Sequence, residues 1–225
     1  MAINLQKGQT IDLRKNSAGA DTGVDLSRLT IGLGWDVKQK STSFLGSLFG
    51  GGKAEDYDLD AIAFLLDAND KVVNLGQTVK RPDGRSVNLY GGDVIYFNSL
   101  QHPSGHIWLT GDNRTGEGDG DDEQIIVELE KLDAKYQKIV FVVSIYQGHK
   151  NKQHFGMVEN AFIRAVDRKG NEILKYSLSG NSEFDNMHSM VFAELYRRDG
   201  SWKFRAIGEP RVTDNFVNIL KEYTS

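Results

Sequence analysis

Apolar and polar residues alternate along this chain in short bursts separated by Gly, Asn and Asp, the period-two signature of half-buried β-strands. Ile125, Val127 and Leu129 interleave with Ile126, Glu128 and Glu130 in this way. The run Lys138-Ile139-Val140-Phe141-Val142-Val143-Ser144-Ile145-Tyr146 is instead continuously apolar and β-branched, which predicts a central strand covered on both faces. Two hairpins are predicted near the end: Asp167-Arg168-Lys169-Gly170-Asn171 separates strands at 161–166 and 172–178, and Asp199-Gly200 separates 190–198 from 201–207. Earlier strands are predicted at 29–33, 59–66, 94–97 and 106–110. Helical spacing is confined to 213–223, with Thr213 as N-cap and Phe216, Val217 and Leu220 on one side. The expectation is an all-β fold, an antiparallel β-sandwich with a C-terminal helix and minor short helices, forming one domain over 1–225.

Composition narrows this further. The chain has 24 glycines and 3 prolines, which suits many tight turns between short strands. Net charge is -4, so no whole-protein basic field draws in nucleic acid. The 225 residues include no cysteine, which excludes disulfides, thiolate nucleophiles, zinc-thiolate sites and iron–sulfur clusters. The first eight residues, from Met1 to Gly8, lack a basic segment followed by an apolar one, and no apolar run approaches the roughly 18 residues of a transmembrane segment. A cytoplasmic location is therefore expected.

Residues 111 to 123 read Gly-Asp-Asn-Arg-Thr-Gly-Glu-Gly-Asp-Gly-Asp-Asp-Glu, with carboxylates at Asp112, Glu117, Asp119, Asp121, Asp122 and Glu123 and one cation, Arg114. Like charges this dense repel, and the glycines allow a tightly curled backbone that brings them closer still. A divalent cation resolves the conflict, because calcium takes six to eight oxygen ligands from carboxylates, amides and inward-turned carbonyls. The competing reading is a solvated acidic turn. An EF-hand is excluded, since the spacing is wrong and the loop lies between strands, and a phosphate-cradling loop needs a lysine that is missing here. A second acidic patch, Glu55-Asp56-Tyr57-Asp58-Leu59-Asp60-Ala61, enters a strand on which Asp58 and Asp60, two apart, share a face. They are candidates to complete the shell, against the simpler reading of a solvated strand edge.

Catalysis has no local signature: His102, His106, His149, His154 and His188 form no His-Glu-x-x-His helix, and no Gly-x-Ser-x-Gly elbow occurs. His102-Pro103-Ser104-Gly105-His106 is read as a loop entering a strand rather than as a two-imidazole zinc site. Clustered carboxylates also suit two-metal chemistry, so a divalent-metal-dependent enzyme of phosphoryl transfer or hydrolysis is the alternative class. Lectin-like sugar binding is a third class, supported only by aromatic residues. An apolar Gly/Ser-rich insertion at about 38–54 places Phe44, Leu45, Leu48 and Phe49 beside Lys38, Lys40 and Lys53. It is read either as a disordered or locally packed loop or as an element docking on a partner protein or an anionic membrane surface.

Several stretches together resemble the TerD-type tellurium-resistance and general-stress family. They are Leu5-Gln6-Lys7-Gly8-Gln9, Ile31-Gly32-Leu33-Gly34-Trp35-Asp36, Tyr57-Asp58-Leu59-Asp60-Ala61, the acidic loop residue for residue, 138–143, Asn160-Ala161-Phe162-Ile163-Arg164, Glu194-Leu195-Tyr196-Arg197 and Trp202-Lys203-Phe204. The resemblance implies a bacterial or phage-borne cytoplasmic β-sandwich that binds one or two calcium ions. It also implies a link to tellurite resistance, phage resistance and envelope or oxidative stress, through a membrane-associated stress complex or partner protein rather than through catalysis. Carried over by position, the implied metal ligands are Asp58, Asp60, Asp112, Asn113, Glu117, Asp119, Asp121, Asp122 and Glu123, with Asp36 a weaker candidate that bonds within its own turn. Nine side chains exceed one shell, which implies a second ion or supporting residues around the first. The sequence departs from the family pattern in the 38–54 insertion and in Gly208-Glu209-Pro210-Arg211-Val212-Thr213, which stands where members carry a glycine-rich lead into the last helix. Without a thiolate, reduction of a soft oxyanion by this chain is disfavoured, so the implied resistance is indirect.

Overall fold

The computed structural model describes residues 2–16, 18–37, 57–110, 120–178 and 182–224. Its strands form two six-stranded sheets and a separate hairpin. The first sheet runs β1 (Ile3–Leu5), β12 (Glu172–Leu178), β11 (Val158–Asp167), β3 (Leu29–Val37), β9 (Glu123–Val127), β8 (Ile107–Thr110). The second runs β2 (Thr10–Asp12), β14 (Ser201–Arg211), β13 (Ser189–Arg198), β10 (Lys138–Ile145), β4 (Leu59–Leu66), β7 (Val94–Ile95). Pairing is antiparallel throughout the described strands except between β1 and β12.

Strand β10 lies between β13 and β4, and its two faces serve two cores. Ile139, Phe141, Val143 and Ile145 join Leu29, Ile31, Leu33, Ile125, Val127 and Ile163 between the sheets. Val140 and Val142 face the other way, into a cluster with Ile62, Phe64, Leu66, Val191, Ile219 and Leu220. This double burial is why neither β10 nor β4, which is buried along its whole length, alternates, and each large apolar side chain so buried contributes roughly 1.5–3 kcal/mol.

The two predicted hairpins form as β11–β12 and β13–β14. Asp199 (φ 54) and Gly200 (φ 72) both take the left-handed conformation that a tight two-residue turn requires. Other expectations need correction. Strand β7 ends at Ile95, because Tyr96 and Ser99 close a turn on each other. Strand β9 ends at Val127, and Leu129 and Glu130 lie in a turn where Lys131 N–H donates to Glu128 O. A hairpin of β5 (Gln77–Lys80) and β6 (Ser86–Tyr90) is additional.

The C-terminal helix α2 is short, Phe216–Leu220, followed by a single 3-10 turn. Asn215, not Thr213, is its N-cap: the Asn215 side chain accepts from Val217 N–H, and the Thr213 hydroxyl accepts from Asn215 N–H. Ile219 and Leu220 are its buried residues, and Val217 is only half-buried. The helix covers the outer face of β4 and β10. A four-residue helix α1 (Gly148–Asn151) follows β10. No helix among the described residues is long and apolar enough to cross a membrane.

Candidate metal centre

The acidic loop joins β8 to β9, and its C-terminal stem lies against the backbone of β3. A Cβ on Gly32 would stand 2.2 Å from the Asp121 carboxylate, and one on Gly34 would stand 2.6 Å from Gly120 O. The alternation Ile31-Gly32-Leu33-Gly34 thus sends large side chains into the core and leaves a bare track on the outer face, where only glycine admits the stem. Gly120 itself takes φ +123. Asp122 N–H donates to Leu33 O, and Asp122 Oδ2 accepts from Trp35 N–H at 2.9 Å.

Asp121, a candidate ligand, is seated on this track in contact with protein groups: its Oδ1 accepts from Arg164 Nε at 2.7 Å and its Oδ2 from Gln124 Nε2 at 3.1 Å. The guanidinium also reaches Glu172 at 3.0 Å. The Asp121 hydrogen bond in turn raises the Arg164 pKa, outweighing partial burial. Ligation of an ion by Asp121 would therefore compete with a guanidinium.

Glu123 points inward, in line with Ile125 and Val127, and crosses to the second sheet. Its Oε2 accepts from Ala61 N–H at 2.5 Å, on the edge of β4 that extends past β7. Glu123 is thereby brought to the residue next to Asp60, although the two lie more than sixty positions apart in sequence. Both are buried, Glu123 at 2% and Asp60 at 8% exposure. Asp60 is paired with Ser144 of β10, and just before β4 the Asp58 carbonyl accepts from Tyr146 N–H. The other end of the loop is close by, since Thr110 pairs with Gln124.

Glu123 thus reaches the backbone of β4 beside Asp60, whose side chain falls by alternation on the outer face of that strand with Ile62 and Phe64, while Asp122 is held at β3 and Asp121 is turned to Arg164. Asp112, Asn113, Glu117 and Asp119 lie outside the described residues, as does the 38–54 insertion with Phe44, Leu45, Leu48 and Phe49. Among the described residues no group of three or more His, Asp or Glu stands at metal-holding spacing. Asp58, Asp60, Asp122 and Glu123 alone therefore do not close a shell. As a donor set they fit a hard cation, being oxygen only. Asp36 accepts from Asn160 Nδ2 at 2.7 Å, a bond to β11 and not within its own turn.

The two imidazoles of the 102–106 segment go to different carboxylates. His102 Nε2 is 3.1 Å from buried Asp93 Oδ1, which also accepts from Tyr136 Oη at 2.7 Å. His106 Nδ1 is 2.9 Å from Glu128 Oε2. Arg164 is the residue that sequence reasoning missed in this region; its position 43 residues from Asp121 carries no local signal.

The TerD domain model matches residues 1–79 and 85–223. The chain is 54% identical over 223 residues to tellurium resistance protein TerX of Serratia marcescens, covering 99% of this chain and 100% of that protein. It is 41% identical over 224 residues to stress response protein SCP2 of Bacillus subtilis (strain 168), covering 99% and 100%. The crystal structure of a homologue of telluride resistance protein (TerD) from Streptomyces coelicolor A3(2) superposes with a TM-score of 0.57 at 23% identity, covering 90% of this chain and 99% of that one.

Proposed function

The chain belongs to the TerD domain family, and from that premise we propose that it is a calcium-binding stress and toxic-agent resistance protein that works as an ion-dependent interaction module and not as a catalyst. The observation that supports this reading is the bond from Ala61 N–H to Glu123, which brings the stem of the acidic loop to the segment of β4 that carries Asp58 and Asp60. Calcium is favoured over softer ions by the all-oxygen donor set. The ligands are Asp58, Asp60, Asp122 and Glu123, with Asp112, Asn113, Glu117 and Asp119 supplied by the loop. Asp121 supports the site through Arg164 and enters the shell only if that ion pair opens. The resistance role is supported by the relatives, a tellurium resistance protein and a stress response protein.

In this reading calcium stiffens the loop against β3 and fixes the adjoining surface, which docks a partner protein or a membrane-associated complex in the cytoplasm, with Phe44, Leu45, Leu48 and Phe49 as the apolar contact. An ion that binds only the folded state stabilises it by about 2.7 kcal/mol at a hundredfold excess over its Kd. Thermal unfolding with and without a chelator tests this. A melting temperature that rises with calcium supports the reading, and one indifferent to calcium and chelator removes it.

A further inference from the structure

A cavity of about 510 Å³ opens away from the acidic loop, between the β5–β6 hairpin and the connection from β7 to β8. Its volume lies within the roughly 300–1,000 Å³ of small-molecule sites. Tyr90, Phe97 and Leu100 line it together with Arg81, Asn98 and Gln101. Tyr90 is 46% and Leu100 47% exposed, and Tyr146, 44% exposed, packs edge-on against Phe97 with centroids 6.3 Å apart. Three of the seven exposed large apolar side chains among the described residues thus gather at one place, which marks it as a binding surface.

The walls are already formed. Leu89, a bulky residue, takes the left-handed conformation (φ 60) just before Tyr90. Gly76 packs directly on this turn, since a Cβ there would stand 2.5 Å from Tyr90 O. Leu89 packs against the cluster that holds Ile62 and Phe64, while Tyr90 is left outside. Such strained backbone persists where surrounding structure holds it, often at ligand sites. Opposite, Ser99 Oγ accepts from Gly91 N–H at 3.1 Å, His102 N–H donates to Ile107 O at 3.0 Å, and Leu109 N–H donates to Leu100 O at 2.8 Å. His102 also lines the cavity, with both ring nitrogens occupied: Nδ1 accepts from Ser104 N–H at 3.1 Å, so Nε2 carries the proton toward Asp93. It belongs to the wall and offers no lone pair to a metal.

Among the described residues that line the cavity there is no Asp or Glu, and Arg81 supplies a full positive charge. Its guanidinium donates one bond, from Nη2 to the neutral Asn98 Oδ1 at 2.8 Å, while Asp83, the nearest acid in sequence, is paired with Arg85 at 2.6 Å. The planar fork has five N–H donors and suits the oxygens of a carboxylate or phosphate. A basic ligand would find no counter-ion in this lining, and one arginine is too little charge for a nucleic-acid strand. We propose that this cavity binds a small planar aromatic anion, with its ring against Tyr90, Phe97 and Leu100 and its carboxylate or phosphate on Arg81. The site is separate from the acidic loop, since the cavity lies at the Ile107 end of β8 and the loop leaves at Thr110.

The probes are adenosine 5′-monophosphate and indole-3-carboxylate, compared with neutral adenosine and indole and with inorganic phosphate, all in the presence of a calcium chelator. Proton–nitrogen correlation spectra of the wild-type chain should show saturable shifts with at least one of the two anions at millimolar concentration or below, centred on the amides of Arg81, Tyr90 and residues 97–102. The anion that binds more tightly tells phosphate from carboxylate. Inorganic phosphate and the neutral parent should bind at least about tenfold more weakly, and Arg81→Gln should remove the advantage of the anion over its parent. Tyr90→Ala should weaken anion and parent alike by about fivefold or more. The Asp119→Asn, Asp122→Asn chain should bind the anion unchanged, whatever its affinity for calcium. No saturable binding of either anion, equal affinity for the neutral parent, shifts confined to other residues, an unaffected Arg81→Gln chain, or loss of binding in the carboxylate variant would each overturn the proposal.

Discussion

Arg164 holds Asp121 in an ion pair whose two halves differ in burial: Nε donates to Oδ1 at 2.7 Å, the carboxylate side chain is 2% exposed and the arginine side chain 29%. The acidic stem is thus tied to β11 by the buried partner, while the guanidinium extends to Glu172 at the surface.

Arg164→Ala should therefore do more than remove a surface charge. It leaves a buried carboxylate over Gly32 without its cation, at a cost of roughly 2–4 kcal/mol. Urea unfolding checks this, and Gly32→Ala, whose Cβ would collide with the same carboxylate, should be similarly damaging. A loss below about 0.5 kcal/mol in Arg164→Ala, the range of ordinary surface substitutions, would mean that the pair does not hold the stem.

Asp93 links β7 to the 102–106 segment and gives the fold an acid limit. Burial pushes its carboxyl pKa up, but hydrogen bonds from His102, Tyr136 and Asn74 N–H outweigh this and hold it below the ordinary value. A carboxyl depressed in the folded state contributes stability that is fully present above its unfolded pKa and is lost as pH falls through the folded one. Below about pH 4 the wild type should therefore lose stability more steeply than Asp93→Asn. Tyr136→Phe, which removes one bond to the carboxylate, should cost about 1.5–3 kcal/mol at neutral pH. Parallel pH curves for wild type and Asp93→Asn would contradict this.

Phe64 ties the C-terminal helix to the second sheet. It is fully buried, with ring centroids 6.5 Å from Phe216 and 5.8 Å from Tyr223. Phe64→Ala should cost about 3–5 kcal/mol and raise hydrogen exchange across 216–223, while leaving the β11–β12 hairpin protected. Unchanged exchange in that segment would show that the helix is held elsewhere.

Much of the sandwich was legible in the sequence because burial writes itself into residue pattern. The unbroken run of β10 reports a strand packed on two faces, and Asp199-Gly200 reports a turn that needs two left-handed residues. The β5–β6 hairpin was missed because its strands are largely solvated and lack an apolar rhythm. Its turn, Arg81-Pro82-Asp83-Gly84-Arg85, did carry a signal, and Arg81 N–H indeed donates to Arg85 O. The helix start was placed two residues early because Thr213 and Asn215 are both capping residues and only the fold decides which one caps.

At the candidate site, the acidic residues were visible but their sorting was not. Nothing in the row Asp121-Asp122-Glu123 tells that Asp121 turns out to Arg164, Asp122 binds the β3 backbone and Glu123 crosses to the other sheet. Each destination is set by a partner distant in sequence.

Calorimetric titration of the metal-free chain with calcium and with magnesium, for the wild type and for Asp119→Asn, Asp122→Asn, tests the calcium reading most directly. Calcium should bind the wild type in the roughly micromolar class of ion-responsive sites, more tightly than magnesium, and binding should be lost in the double variant. Absence of calcium binding, or a preference for magnesium, would contradict it and turn attention to metal-dependent phosphoryl chemistry.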